Sequence, residues 1–158
     1  MVSRLIVSMG PQARTDANQY LSGVVAGARE LTICDPYILQ PYAAIPPINY
    51  VTSLLSVLPT TLRSLEIFAK PRVRNRQVAE ELNKACKQRG VRVTVLRTNE
   101  IHDRVWIADH ERAYTIGTSF NGLGNRCAFI LPLPSEDRRA FAKELASIRS
   151  GASKSRGA

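Results

Sequence analysis

Apolar and polar positions along this chain switch repeatedly between a two-residue and a helical period, and each switch marks a short element. Leu5, Ile6 and Val7 predict a first strand over 4–8, followed by the turn pair Gly10-Pro11. Tyr20, Leu21, Val24, Val25 and Ala28 recur at helical spacing and predict a helix over 16–28, with Thr15 or Asp16 available to cap it. The β-branched, apolar stretch 30–34 reads as a buried strand that runs into Asp35-Pro36-Tyr37.

Residues 40–48 contain Pro41, Pro46 and Pro47 and read as an irregular connection, a lid or a spacer, before a short helix over 50–58. Alternation over 64–69 predicts a strand. Val78, Leu82 and Ala85 form the stripe of a helix over 75–89, with Gly90 where a C-terminal cap glycine belongs. Residues 91–95 alternate cleanly, 104–108 and 113–116 read as a hairpin, 127–131 as a further strand and 135–148 as a last helix opened by Ser135, Glu136 and Asp137. The order of strands and helices predicts an α/β layered fold. The chain divides into one domain, 1–149, and a small, polar, basic tail, 150–158, expected to be disordered.

Charge changes the picture most. The 158 residues carry 22 Lys and Arg against 13 Asp and Glu, a formal +9, so a polyanion such as nucleic acid is the expected partner. Lys70, Arg72, Arg74 and Arg76 concentrate four cations in seven positions and form a candidate nucleic-acid track. No apolar run approaches the roughly eighteen residues of a spanning helix, and Leu5-Ile6-Val7 is too short for a leader, so a membrane setting is not expected. Cys34, Cys86 and Cys127 are odd in number and widely spaced, which supports neither a disulfide framework nor a metal site and fits a reducing, cytoplasmic setting.

The candidate chemistry lies in twenty consecutive positions. His102 and Arg104 flank one residue at the start of a predicted strand, where alternation points both the same way. A neutral imidazole can attack phosphorus while the guanidinium holds the non-bridging oxygens in a two-pronged grip. Asp109 adds an acid, and Gly117-Thr118-Ser119-Phe120-Asn121 adds a small polar turn whose hydroxyl and amide groups can bind phosphate oxygens. His110, in Asp109-His110-Glu111-Arg112, reads as a turn residue.

These residues resemble the signature of the phospholipase D superfamily, His-x-Lys, four residues, Asp, a short spacer and Gly-Ser-x-Asn. Here it reads His102-Asp103-Arg104, four residues, Asp109, seven residues, Gly117-Thr118-Ser119-Phe120-Asn121, and the aspartate-proline-tyrosine after an early strand extends the likeness over about 15–148. It is similar in particular to small bacterial single-motif members. The resemblance implies a mixed β-sheet flanked by helices on both faces. It also implies phosphodiester cleavage without metal or cofactor, with His102 as nucleophile, Arg104 and Asp109 as its catalytic companions, Thr118, Ser119 and Asn121 on the phosphate, and Asp35 and Tyr37 lining the pocket.

One motif per chain implies a homodimer in which His102 of two subunits meet. Membership of bacterial or phage-related defence assemblies is a further implication. Three departures stand out: arginine in place of lysine, one extra residue before Asn121, and no acid in the strand at 127–131. They leave a second reading open, a non-catalytic module that binds nucleic acid or another phosphate-bearing partner; recognition of anionic lipid headgroups is a third.

Overall fold

The computed structural model describes residues 4–6, 11–42 and 45–156. Within them the strands are β1 (Arg4–Ile6), β2 (Glu30–Cys34), β3 (Ser64–Ala69), β4 (Arg92–Arg97), β5 (Arg104–Ala108), β6 (Arg112–Ile116) and β7 (Ala128–Pro132). The helices are α1 (Pro11–Val24), α2 (Pro47–Val57), α3 (Arg76–Gln88) and α4 (Ser135–Arg156). All seven strands join one mixed sheet in the order β1-β7-β6-β5-β2-β3-β4.

The sheet has a seam. β2, β3 and β4 are parallel, whereas β5 runs antiparallel to β2 and starts an antiparallel series through β6, β7 and β1. Cys34 therefore stands beside Val105, and the carboxyl ends of β2, β3 and β4 share one end of the sheet with the amino end of β5. Ligands of open α/β sheets gather at the carboxyl ends of the parallel strands, and here the seam brings a further strand start to the same place.

Side-chain alternation gives each sheet face its own core. Leu31, Ile33, Leu65, Ile67, Trp106 and Ala108 pack with Leu21 of α1, Leu54 of α2 and Leu82 of α3. Cys34, Phe68, Leu96, Val105 and Ile107 point the other way, toward Leu145 and Phe141 of α4. Helices thus cover both faces. Burying each of the three leucines contributes about 1.5–3 kcal/mol, so truncating any one to alanine costs roughly 2–5 kcal/mol.

Element ends depart from the sequence reading in instructive ways. α1 begins at Pro11, not near Asp16, because proline is suited to the first helical position, where its missing N–H would have no partner. It ends at Val24, short of Ala28, as the chain turns through Gly27 at φ 76°. α3 starts where expected: the Asn75 side chain accepts the Val78 N–H at 3.1 Å, and Gly90 at φ 70° follows its end.

The largest departure is at the carboxyl end, where α4 continues past Ile148 to Arg156, so the expected boundary at 149 falls inside a helix and the expected disordered tail is helical as far as it is described. Gly151 costs an exposed helix only about 1 kcal/mol. Against that, Arg149 donates twice to Glu66 on β3, at 2.8 and 2.6 Å, and Ile148 and Ala152 pack on the second core. Residues 7–8 of the expected first strand and 157–158 of the tail lie outside the described residues. No described helix is long and apolar enough to cross a membrane. Cys34 and Cys86 are buried, while Cys127 is exposed.

Candidate active site

Four segments meet at the seam end of the sheet. Asp35-Pro36-Tyr37 follows β2, Lys70 follows β3, Thr98 and Asn99 follow β4, and His102 precedes β5 by two residues. Tyr37, Lys70, Thr98, Asn99, His102 and Arg104 line a cleft of about 220 Å³ that has no carboxylate among its lining residues. Thr98 and Asn99 were not anticipated as site residues. Their position just after a strand parallel to β2 was the available signal.

His102 is exposed and lies outside β5, which begins at Arg104, so strand alternation is not what aligns the two. They share the cleft because the segment before β5 turns along its rim. Arg104 is half-buried, and its buried Nε–H finds no acceptor among the described residues. An unsatisfied buried donor costs about 1–3 kcal/mol. The Arg104 guanidinium carbon and the Lys70 ammonium each lie 5.9 Å from the centroid of the Tyr37 ring.

Behind the cleft is a buried carboxylate. Asp35, 1% exposed, accepts the Ser119 hydroxyl at 2.7 and 2.9 Å, the Phe120 N–H at 2.8 Å and the Tyr37 N–H at 3.0 Å. Burial pushes the Asp35 carboxyl above the ordinary carboxylate range, although the donors from Phe120, Ser119 and Tyr37 and the Arg104 charge pull the other way. Asn121 donates from its amide to the carbonyls of Tyr37 at 3.3 Å and Gln40 at 3.0 Å. Thr118 is half-buried, and its hydroxyl oxygen lies only 2.8 Å from where a side chain on Gly122 would begin.

The residues expected to bind phosphate therefore serve another purpose. Ser119 and Asn121 spend their donors on the 35–40 segment, and Thr118 packs on its own turn. Asp35 and Tyr37, expected only to border the pocket, are bound to that turn directly, and Tyr37 does line the cleft.

Asp109 is not brought to the cleft. The five residues of β5 carry it roughly 17 Å along the sheet at about 3.3 Å per residue, to the opposite end. There, at φ 52°, its carboxylate accepts the N–H groups of Arg29 at 2.8 Å and Glu30 at 3.0 Å, which hold it below its usual pKa. His110 sits beside it at φ 60°, with Nε2 2.6 Å from a Glu30 carboxylate oxygen, in the turn position expected of it.

Of the four clustered cations, Lys70 lines the cleft and Arg72, Arg74 and Arg76 are exposed beyond it. Arg76 is engaged by Glu80 at 2.8 Å. Arg74 stands close enough to Arg97 that its charge, after the effect of burial, helps lower the Arg97 pKa. Arg97, at the end of β4, thus joins the basic surface without having been singled out in the sequence.

No protein-family model matches this chain, and no curated protein matches it by sequence. Solved structures do match. NucT from Helicobacter pylori, a nuclease of the phospholipase D superfamily, superposes with a TM-score of 0.52 at 16% identity, covering 94% of each chain. The two share one fold, a mixed sheet covered by helices of the kind that the phospholipase D resemblance implies. TrmBL2, an archaeal chromatin protein described as showing a novel mode of DNA binding, matches with a TM-score of 0.51 at 9% identity. That match covers 96% of this chain, which spans only 54% of the TrmBL2 chain.

On this phospholipase D-type fold the motif residues divide by location. His102 and Arg104 face the cleft with Lys70 and Tyr37, Thr118, Ser119 and Asn121 brace the loop behind it, and Asp109 closes the far hairpin.

Proposed function

We propose that this chain is a phospholipase D-type phosphodiesterase that cleaves nucleic acid, with His102 as its nucleophile in a homodimeric site. The observation that carries the proposal is the composition of the cleft: one imidazole, Arg104 with an unengaged donor, Lys70, and no carboxylate among the lining residues. The formal charge of +9 and the basic surface around Arg74 and Arg97 favour a polyanion over a lipid. The likeness to NucT and to the DNA-binding TrmBL2 supports the same substrate class.

In the first step an imidazole nitrogen of His102 attacks phosphorus. A P–N bond forms, the P–O bond to the leaving group breaks, and the departing oxygen takes a proton from a general acid. Arg104 and Lys70 hold the non-bridging oxygens. In the second step water, deprotonated by the group that acted as acid, breaks the P–N bond and releases a phosphomonoester.

The acid is where the dimer enters. The chain has two histidines, and His110 is at the opposite end of the sheet, held by Glu30. The second imidazole is therefore assigned to His102 of the partner subunit, across a two-fold axis. A cytoplasmic setting accompanies this reading through the cysteine pattern, and a place in a bacterial or phage-related assembly through the family resemblance.

A second reading, phosphate gripping without cleavage, is favoured by one observation: among the described residues the His102 side chain has no hydrogen-bond partner to orient it. Purified protein with single-stranded and duplex DNA in excess EDTA separates the two. Cleavage that disappears in His102→Ala, with DNA binding retained, supports the enzyme; binding without cleavage supports the module. Cleavage that survives His102→Ala overturns the proposed nucleophile, and a strictly monomeric active protein overturns the shared site.

A further inference from the structure

The Tyr37 ring lies near both cations of the cleft, and its backbone is held at its N–H and at its carbonyl. Its N–H donates to the buried Asp35 carboxylate at 3.0 Å, and its carbonyl accepts from Asn121 at 3.3 Å. The Lys70 N–H, in turn, donates to the Pro36 carbonyl at 3.1 Å, tying the end of β3 to the same turn. Tyr37 is 36% exposed, with the Lys70 ammonium and the Arg104 guanidinium each 5.9 Å from the centroid of its ring.

We infer that Tyr37 is a positioning residue: its ring holds Lys70 and Arg104 as a two-cation cradle, so that Lys70, and not Arg104 alone, grips the phosphate presented to His102. The inference rests on the reading that this cleft takes a phosphate group. Its physical basis is the attraction of each cation to the electron-rich ring, which narrows the range of a long, rotatable side chain before the anion arrives. The Asp35, Ser119 and Asn121 hydrogen bonds acquire a purpose here, since they immobilise the residue on which both cations rest. Lys70 complements Arg104 as a compact, rotatable charge beside a planar fork, which suits an anion whose oxygens shift during reaction.

The test is a titration of the full chain with inorganic phosphate, followed by NMR, for wild type, Tyr37→Phe, Tyr37→Leu, Lys70→Gln and the Tyr37→Leu/Lys70→Gln double variant. Each is checked by thermal melting. Tyr37→Phe keeps the ring and should bind within about twofold of wild type, whereas Tyr37→Leu should weaken phosphate by about tenfold, as expected for loss of two cation–ring contacts. Lys70→Gln should also lose about tenfold. The double variant should lose clearly less than the product of the two, because both act through one contact.

Wild-type affinity in Tyr37→Leu, equal losses in Tyr37→Phe and Tyr37→Leu, or full additivity overturns the inference while leaving the phosphate site intact. Should Tyr37→Leu fail to fold, unchanged binding in Lys70→Gln, whose side chain is exposed, overturns it instead. Absence of phosphate binding by wild type overturns the reading of the cleft itself, and the two failures are thereby distinguished.

Discussion

Ser119 donates its hydroxyl to both oxygens of Asp35, at 2.7 and 2.9 Å, across 84 positions of the chain. This contact joins the segment after β2 to the turn before β7 behind the cleft. In Asp35→Asn, the amide group must face the N–H of either Phe120 or Tyr37, leaving one buried donor opposed to another. A loss of about 1–3 kcal/mol in urea unfolding is expected. Because the folded pKa of Asp35 is raised, its protonation contributes stability that is fully present below the unfolded value of about 3.9 and is lost as pH rises through the folded value. The deficit of the variant should accordingly be larger at acid pH than at neutral pH; the reverse trend would refute the assignment.

Asp109 should behave with the opposite sign. Its two backbone donors stabilise the ionised form, so its folded pKa is depressed and its contribution is present above about 3.9 and lost as pH falls through the folded value. Asp109→Ala should cost about 2 kcal/mol at neutral pH, through the lost hydrogen bonds and the φ of 52° that alanine resists. Asp109→Asn should cost less. Both should keep the wild-type phosphate affinity, and a loss of binding or cleavage in folded Asp109→Asn would return this residue to the site.

Gly124 sets the distance between α1 and the 120–124 turn. At φ 83°, an added Cβ would lie 2.5 Å from the Arg14 Cα and 2.7 Å from its nitrogen. Gly124→Ala should therefore lose about 2 kcal/mol or more, with the Arg14 contact to the Phe120 carbonyl, 3.4 Å in the native chain, disrupted. A melting temperature within a degree of wild type would show that the backbone yields there without cost.

The exposed cations should differ in their share of nucleic-acid binding. Removing one phosphate contact lowers the slope of log affinity against log salt by about 0.9, which is expected for Arg74→Gln and Arg97→Gln. Arg76→Gln should change it less, because Glu80 already engages that guanidinium at 2.8 Å. Slopes unchanged from wild type in Arg74→Gln and Arg97→Gln would mean that this surface does not track the phosphate backbone.

The strands were legible because each side-chain period carries one face, and both faces of this sheet are covered. Helix ends were less so, since Pro11 can serve as a turn or as a first helical residue and only its surroundings decide. For α4 the deciding contact, Arg149 with Glu66, joins positions 83 apart that no local pattern connects. The site divides the same way. His102 and Arg104 were found together because they are neighbours in sequence, but the same nearness misplaced Asp109, which an intervening strand removes to the other end of the sheet. Ser119 and Asn121 were recognisable as polar and important, but whether they face a phosphate or the 35–40 backbone depends on a strand pairing that the sequence does not display.

The antiparallel join of β2 and β5 also makes the cleft divisible. A cut at the 99–100 bond would leave Tyr37 and Lys70 on one piece and His102 and Arg104 on the other, each with part of the sheet and neither with a complete anion grip. Reassembly of the pieces would rebuild the cleft by closing two strand pairs, β2 with β5 and β1 with β7, so the connection between β4 and β5 offers a natural place to make the proposed chemistry conditional on complementation.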